Sequence, residues 1–232
     1  MNILLTGASR GIGAATYDLL RSRGHQVAGH STRGGNDLIA GDLADPEAPR
    51  RIWEEAVARL GRIDALVNNA GIYEGVAEDA ADGDWQAAWS RTLTVNLTSA
   101  ADLCRLAVEH FKANGGGRIV NVASRAAFRG DSPQHWHYAA SKAGMIGMTK
   151  SIARGYAAHG ILAFAVAPGF TVSEMTEEYL TGRGGAAILA DIPLGRVTTT
   201  DEVAEAIRWL AVDAPAASTG SVIDLNGASY VR

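Results

Sequence analysis

Tyr138 and Lys142 stand four residues apart in the stretch Tyr138-Ala139-Ala140-Ser141-Lys142. On a helix that spacing puts both side chains on one face, a single turn apart. A free tyrosine, with a pKa near ~10, exchanges protons poorly at neutral pH. An ammonium beside it favours the phenolate and draws the pKa toward the working range. The pair is therefore a candidate acid/base device, and it needs a cofactor and a group that polarises a substrate. The spacing alone fits equally a half-buried tyrosine beside a solvated lysine.

A second chemical feature lies at the other end of the chain. Thr6-Gly7-Ala8-Ser9-Arg10-Gly11-Ile12-Gly13 follows an apolar run at 3–6 and opens a helical pattern at 11–23. Glycines allow a tight turn and close backbone approach by a pyrophosphate, while the helix start offers free N–H groups and a positive dipole end. The order is Gly-x-x-x-Gly-x-Gly rather than Gly-x-Gly-x-x-Gly, and no Lys-Ser/Thr follows, so it is not a P-loop. An NAD site places Asp or Glu at the tip of the second strand, on the ribose 2′-OH. Here the tip reads His30-Ser31-Thr32-Arg33, with no carboxylate before Asp37. The groups of Ser31, Thr32 and Arg33, with Arg10 from the glycine loop, suit a 2′-phosphate. NADP(H) is favoured on this charge logic, and NAD(H) is the alternative.

The elements that must position these groups alternate along the chain. Strands are expected at 3–6, 26–30, 38–40, 65–68, 118–122, 162–167 and 222–225. Helices are expected at 11–23, 46–60, 84–113 (with a break near 84–91), 137–158 and 201–212. The second of these should start with Asp45 as N-cap and Pro46 at its first position. Alternation implies βαβ units: an α/β fold with a Rossmann-type doubly wound parallel sheet of about seven strands, helices on both faces. Only seven residues, 31–37, link the second and third strands. A parallel crossover takes about ten or more. Either the two strands are not neighbours, or their link lacks a helix; a doubly wound order enters strand 3 from strand 2, so a shortened, extended connection after strand 2 is expected.

The chain has 232 residues, 47% of them hydrophobic, enough for one domain with a full core. No linker or repeat divides it, so a single domain over 1–232 is expected. The net charge is −4 and the basic residues form no stripe, which speaks against nucleic acid as a partner. The one cysteine, Cys104, reads as small apolar filler in a helix. No apolar run approaches the ~18 residues of a membrane span. No basic segment precedes the first strand, so a cytoplasmic setting is expected. His135 and His137 have no acidic or cysteine partner to complete a ligand set, and no metal is expected.

With these motifs in place the chain resembles the short-chain dehydrogenase/reductase family over essentially its whole length. Asp42-Leu43 looks like the family's adenine-contacting pair. Asn68-Asn69-Ala70-Gly71 resembles the motif that ends the fourth strand beside the cofactor. Asn96, in Val-Asn-Leu, and Ser124, after the fifth strand, fall at family positions. Pro168-Gly169 and Thr171 resemble the turn after the sixth strand, near the nicotinamide carboxamide. The resemblance implies a hydride-transfer enzyme that interconverts a carbonyl and a secondary alcohol. It implies that Ser124 binds the carbonyl and that Tyr138 exchanges its proton. Lys142 would lower the tyrosine pKa and bind the nicotinamide ribose, and Asn96 would hold a water in a proton relay. Gly7, Ser9, Arg10, Gly11, Ile12, Gly13, Asn69, Ala70 and Gly71 would hold the cofactor, with the residues at the second strand tip.

Within the family, Val166-Ala167-Pro168-Gly169-Phe170 and Asp224-Leu225-Asn226-Gly227 look most like 3-oxoacyl-[acyl-carrier-protein] reductases. The slots of their carrier-docking arginines hold Gly115 and His159, so no basic docking patch is evident. A substrate wall is expected from 72–73, 125–130 and 134–137, under a mobile lid at 173–196. The family also implies a homotetramer (or homodimer) joined through 96–113 and 138–158. Competing readings are an NAD(H)-dependent sugar or alcohol dehydrogenase and a non-catalytic dinucleotide sensor. A sensor would not need Ser124, Tyr138 and Lys142 together.

Overall fold

Consecutive apolar residues become strands here because helices cover both of their faces. The computed structural model describes residues 1–35, 37–171 and 185–232, the side chain of Ile188 excepted. From the N-terminus, β1 (Asn2–Leu5), α1 (Gly11–Ser22), β2 (Gln26–Ser31), β3 (Ile39–Ala40), α2 (Ala48–Leu60) and β4 (Ala65–Asn68) form the first half. Then come α3 (Asp82–Leu93), α4 (Ser99–Ala113), β5 (Gly117–Val122), α5 (Ala126–Arg129), α6 (Trp136–Tyr156) and β6 (Ile161–Pro168). The last elements are α7 (Gly185–Ala190), α8 (Thr200–Val212) and β7 (Val222–Leu225). The strands make one sheet in the order β3-β2-β1-β4-β5-β6-β7, every pair parallel. This is the expected doubly wound fold.

Side chains alternate across each strand and feed two cores. Leu4, Leu66 and Ile119 pack with Ile52 and Trp53 of α2 and with Leu103 and Phe111 of α4. Ile3, Leu5, Val67 and Val120 point the other way, onto Leu20 of α1 and Val203, Ile207 and Leu210 of α8. The start of α8 is fixed by a capping box: Glu202 N donates to Thr199 Oγ1 and Thr199 N donates back to the Glu202 carboxylate.

β2 and β3 are neighbours despite their short link. They pair only at His30↔Ile39 and Ser31↔Ala40, the last two residues of β2. The chain therefore returns over two residues, about 7 Å, rather than over the whole strand. It does so through left-handed backbone at Gly34 (φ 68°) and Gly35 (φ 85°). Two other expectations are corrected. Asp45 does not cap α2. Ala48 N donates to Asp45 O, closing a turn with Pro46 at its second position, and the proline inside the helix's first turn is Pro49. The long helical region is not broken near 84–91. It is interrupted by a π-helical segment, Thr94–Thr98, which carries Asn96. A single widened turn leaves the apolar periodicity almost unchanged, so the sequence pattern does not reveal it.

Candidate active site

The order of the sheet reverses between β1 and β4, so the loops after these strands diverge and leave a crevice at their C-terminal ends. A cleft of about 460 Å³ lies there. Its lining includes Arg10, Ile12, Asn69, Gly71, Ser124, Tyr138, Lys142, Pro168, Gly169 and Thr171. Ten of the expected site residues, carried by the ends of β1, β4, β5 and β6 and by α6, thus share one surface.

The glycine loop is held against the β4 loop by polar bonds. Asn69 Nδ2 donates to Thr6 O (3.0 Å) and Gly7 O (3.1 Å), and Thr6 Oγ1 accepts from Asn69 N (3.0 Å) and Ala70 N (3.1 Å). Helix α1 begins with no side-chain cap and no acidic residue in its first turn. Its N–H groups are therefore available to an anion. Gly13 is required by space: a Cβ there would lie 1.8 Å from Gly7 O and 2.6 Å from Asn69 Nδ2. Gly13→Ala is expected to cost more than ~2 kcal/mol of stability in urea unfolding and to abolish dinucleotide binding. A variant as stable as the parent would show that the loop can open at no cost.

At the second strand tip the expected residues separate. Ser31 is buried and its hydroxyl donates to Gly34 O (3.3 Å), so it braces the turn instead of facing a phosphate. Thr32 and Arg33 are exposed, as are Ser9 and Arg10 on the glycine loop. Asp42 is exposed and accepts from Ala44 N (3.0 Å), while the Leu43 side chain lies in the core.

At the other end of the cleft the bonds are dense. Ala123 N donates to Val166 O and Arg125 N to Pro168 O, both at 2.9 Å, which extends the β5–β6 ladder and locks Ser124 beside the Pro168-Gly169 turn. Thr171 Oγ1 donates to Gly169 O (3.2 Å) on the same turn. Ser124 Oγ accepts from Ala126 N (3.1 Å) and is hydrogen-bonded to the half-buried Tyr138. Lys142 is buried; its Nζ donates to Val122 O (2.8 Å) and lies 5.7 Å from the centre of the Tyr138 ring. Asn96 is fully buried. Its Oδ1 accepts from Ile72 N (2.8 Å) and its Nδ2 donates to Ile72 O (3.0 Å) and Ser141 Oγ (3.3 Å). Both amide hydrogens are used, so Asn96 clamps the loop after β4 to α6, and its side chain keeps only acceptor capacity for a water.

The electrostatics correct one expectation. Lys142 does not bring the Tyr138 pKa below its ordinary value. Burial pushes Tyr138 up to about 12; the Ser124 bond opposes this and the Asp131 charge adds to it. Burial also lowers Lys142 to about 8. Desolvation outweighs mutual help because both groups sit in the same dry end of the cleft.

The expected wall residues from 72–73 and 134–137 gather beside Tyr138, joined by Glu74, Trp85 and Asp131, which were not foreseen. Tyr73 stacks on His135 (3.9 Å between ring centres), meets the Tyr138 ring edge-on (4.8 Å) and donates from its hydroxyl to Asp131 (2.9 Å). His137 is buried, its Nε2 donating to Glu74 O (2.9 Å), whereas Trp136 is 51% exposed and packs on Trp85. Among the described residues no three His, Cys, Asp or Glu side chains gather to hold a metal, and no helix is long and apolar enough to cross a membrane. Of the expected lid, 173–184 lie outside the described residues. Its far end is tied down: Asp191 pairs with Arg129 (2.6 Å) and Arg125 (3.5 Å), just beyond Ser124.

Residues 7–227 match a protein-family model described as Enoyl-(Acyl carrier protein) reductase. The chain is 35% identical over 241 residues to the 3-oxoacyl-[acyl-carrier-protein] reductase FabG of Escherichia coli (strain K12), covering 98% of this chain and 96% of that one. A solved short chain dehydrogenase from Burkholderia cenocepacia J2315, in complex with NADP, superposes with a TM-score of 0.87 at 28% identity, over 98% of this chain and 97% of that one. A mutant of a Serratia marcescens short-chain dehydrogenase/reductase gives a TM-score of 0.90 at 28% identity, over 99% of this chain and 97% of that one.

Proposed function

Because the chain belongs to the short-chain dehydrogenase/reductase family, close to its 3-oxoacyl-[acyl-carrier-protein] reductases, we propose that it reduces a ketone with NADPH, a 3-oxoacyl thioester being the first substrate class to try. The observation that carries this reading is that Ser124, Tyr138 and Lys142 line the same cleft as the glycine loop.

The chain's own residues fit a phosphorylated dinucleotide. The uncapped start of α1, with open space where a Cβ would stand at Gly11, makes a cradle for pyrophosphate. Neither Arg10 nor Arg33 has an ion-pair partner among the described residues, so both remain available to a 2′-phosphate. When bound, the cofactor supplies the hydride. Ser124 Oγ donates to the substrate carbonyl and orients it. Tyr138, kept protonated at neutral pH by its raised pKa, gives its proton to that oxygen as negative charge develops. Lys142, charged below about pH 8, stabilises the tyrosinate left behind. Asn96 holds the water through which the tyrosine is reprotonated. The same reading includes a homotetramer built through α4 and α6.

NADPH consumption with acetoacetyl-CoA and a panel of simple ketones tests the proposal; a protein that consumes NADPH with none of them is not this reductase. Quenching of the five tryptophans tests the cofactor. The Arg10→Ala/Arg33→Ala pair is expected to weaken NADPH about tenfold or more and to leave NADH unchanged. Tighter binding of NADH than NADPH by the parent protein would transfer the assignment to NAD(H).

A further inference from the structure

His30 occupies the tip of β2 and is 2% exposed. Its Nε2 lies 2.8 Å from Gly41 O and its Nδ1 3.4 Å from Gly7 N. A carbonyl only accepts and a backbone N–H only donates. The two partners therefore select one form of the ring: neutral, with hydrogen on Nε2 and a bare Nδ1 facing the Gly7 amide. Burial holds the His30 pKa below the ordinary histidine value, against opposing pulls from Gly41 O and Asp42.

The partners matter more than the bonds themselves. Gly7 opens the glycine loop, and Gly41 directly precedes Asp42-Leu43. One imidazole thus spans the two segments that flank the adenosine side of the crevice. Their other ties are few. β3 contributes only two ladder pairs to β2, and the link before it is the shortened one. Ala8 N donates to His30 O (2.8 Å), so the same residue braces the glycine loop with its main chain as well.

We propose that neutral His30 is a positioning residue of the dinucleotide site, setting the separation between the glycine loop and the Gly41-Asp42 step so that the adenosine end of the cofactor seats. The role rests on the dinucleotide reading above. It assigns His30 to affinity and not to the hydride-transfer step.

The test compares the intact protein with His30→Leu and His30→Asn, using adenosine 2′,5′-bisphosphate and NADPH as probes in tryptophan quenching and acetoacetyl-CoA for turnover. His30→Leu, which loses both side-chain bonds, is expected to bind each probe about tenfold more weakly, with kcat at saturating NADPH within about twofold of the parent. His30→Asn can place its Oδ1 where Nδ1 was and accept from Gly7 N–H. It is expected to stay within about threefold of the parent for both probes. Unchanged bisphosphate binding in His30→Leu overturns the proposal. So does a fall in kcat with the NADPH KM unchanged, or an asparagine variant no better than the leucine one. Should His30→Leu not fold, His30→Asn alone decides: bisphosphate binding more than about tenfold weaker than the parent rejects the proposal, and a loss of about threefold sustains it. A parent protein that binds no NADPH removes the dinucleotide reading itself. A parent that binds, with variants that match it, removes only the role of His30.

Discussion

Tyr138→Phe is expected to lower kcat by about 10³-fold or more while NADPH binding stays within about twofold. The substitution removes one oxygen and leaves the ring, with its edge contact to Tyr73, in place. The cleft keeps its shape, and Ser124 keeps its bond from Ala126 N. What is lost is the proton that must meet the developing alkoxide. Water cannot readily replace it, because burial around this hydroxyl is what pushes its pKa to about 12. Steady-state turnover measured beside tryptophan quenching separates the two effects. Turnover unchanged in the phenylalanine variant would sink the mechanism and leave a dinucleotide-binding protein on the same fold. Because the hydroxyl is protonated at neutral pH, the reductive direction should also be the faster one there, with oxidation gaining as pH rises.

Lys142→Met is expected to do two opposite things: lower kcat by about 10²-fold or more and raise Tm at pH 7. Lys142 is buried and its pKa falls from the ordinary 10.5 to about 8. Below about pH 8 the ammonium is charged in both the folded and the unfolded chain, and the folded state bears its full desolvation cost. Between about 8 and 10.5 the unfolded chain holds a proton that the folded one has released, so this group's contribution to stability rises with pH. Removing the charge should therefore stabilise the fold at pH 7 by up to about 3 kcal/mol, less about 1 kcal/mol for the lost bond to Val122 O. The gain should shrink as pH climbs through about 8 toward about 10. Thermal unfolding of both proteins across that range checks the sign. A variant that is less stable at every pH would mean that Lys142 holds the site together instead of straining it.

The Lys142 shift describes a side chain whose buried charge works against the fold that carries it. The ammonium is buried, bonded to the Val122 carbonyl, beside the tyrosine proposed as proton donor. Proteins tolerate such strain where chemistry requires a shifted pKa. The Asn96 amide, fixed in a π-helical turn with both hydrogens used, braces the loop after β4 against α6.

Much of this was legible in the chain. Short apolar runs bounded by glycine and polar residues predicted the strands to within one or two residues, because a strand covered on both faces favours apolar side chains. The glycine loop was legible because local sterics favour glycine where the backbone turns left-handed, as at Gly7 (φ 69°) and Gly11 (φ 55°). The π turn at Thr94–Thr98 was not legible, since one extra residue per turn hardly disturbs a helical pattern. Nor was the inward turn of Ser31, which depends on the path the chain takes after β2. The adjacency of β2 and β3 through a shortened link was expected from the doubly wound order, but a count of linking residues left its geometry unexplained. It became reasonable once the pairing proved to be confined to the end of the strand.

By itself the sequence determined which groups exist and which of them lie one helical turn apart: Tyr138 above Lys142, and the glycines at the start of α1. These are local matters, governed by backbone sterics and helix geometry that hold whatever surrounds them. Only the tertiary structure decided that Ser124, the glycine loop and this pair meet at one crevice, with Asn96 buried behind Ile72 of its wall, and that burial there would raise the tyrosine and lower the lysine. Proton affinities depend on how much water and which dipoles surround a group, and those are supplied by residues far away in the chain. The same holds for His30, an ordinary histidine in the sequence that the fold sets between Gly7 and Gly41.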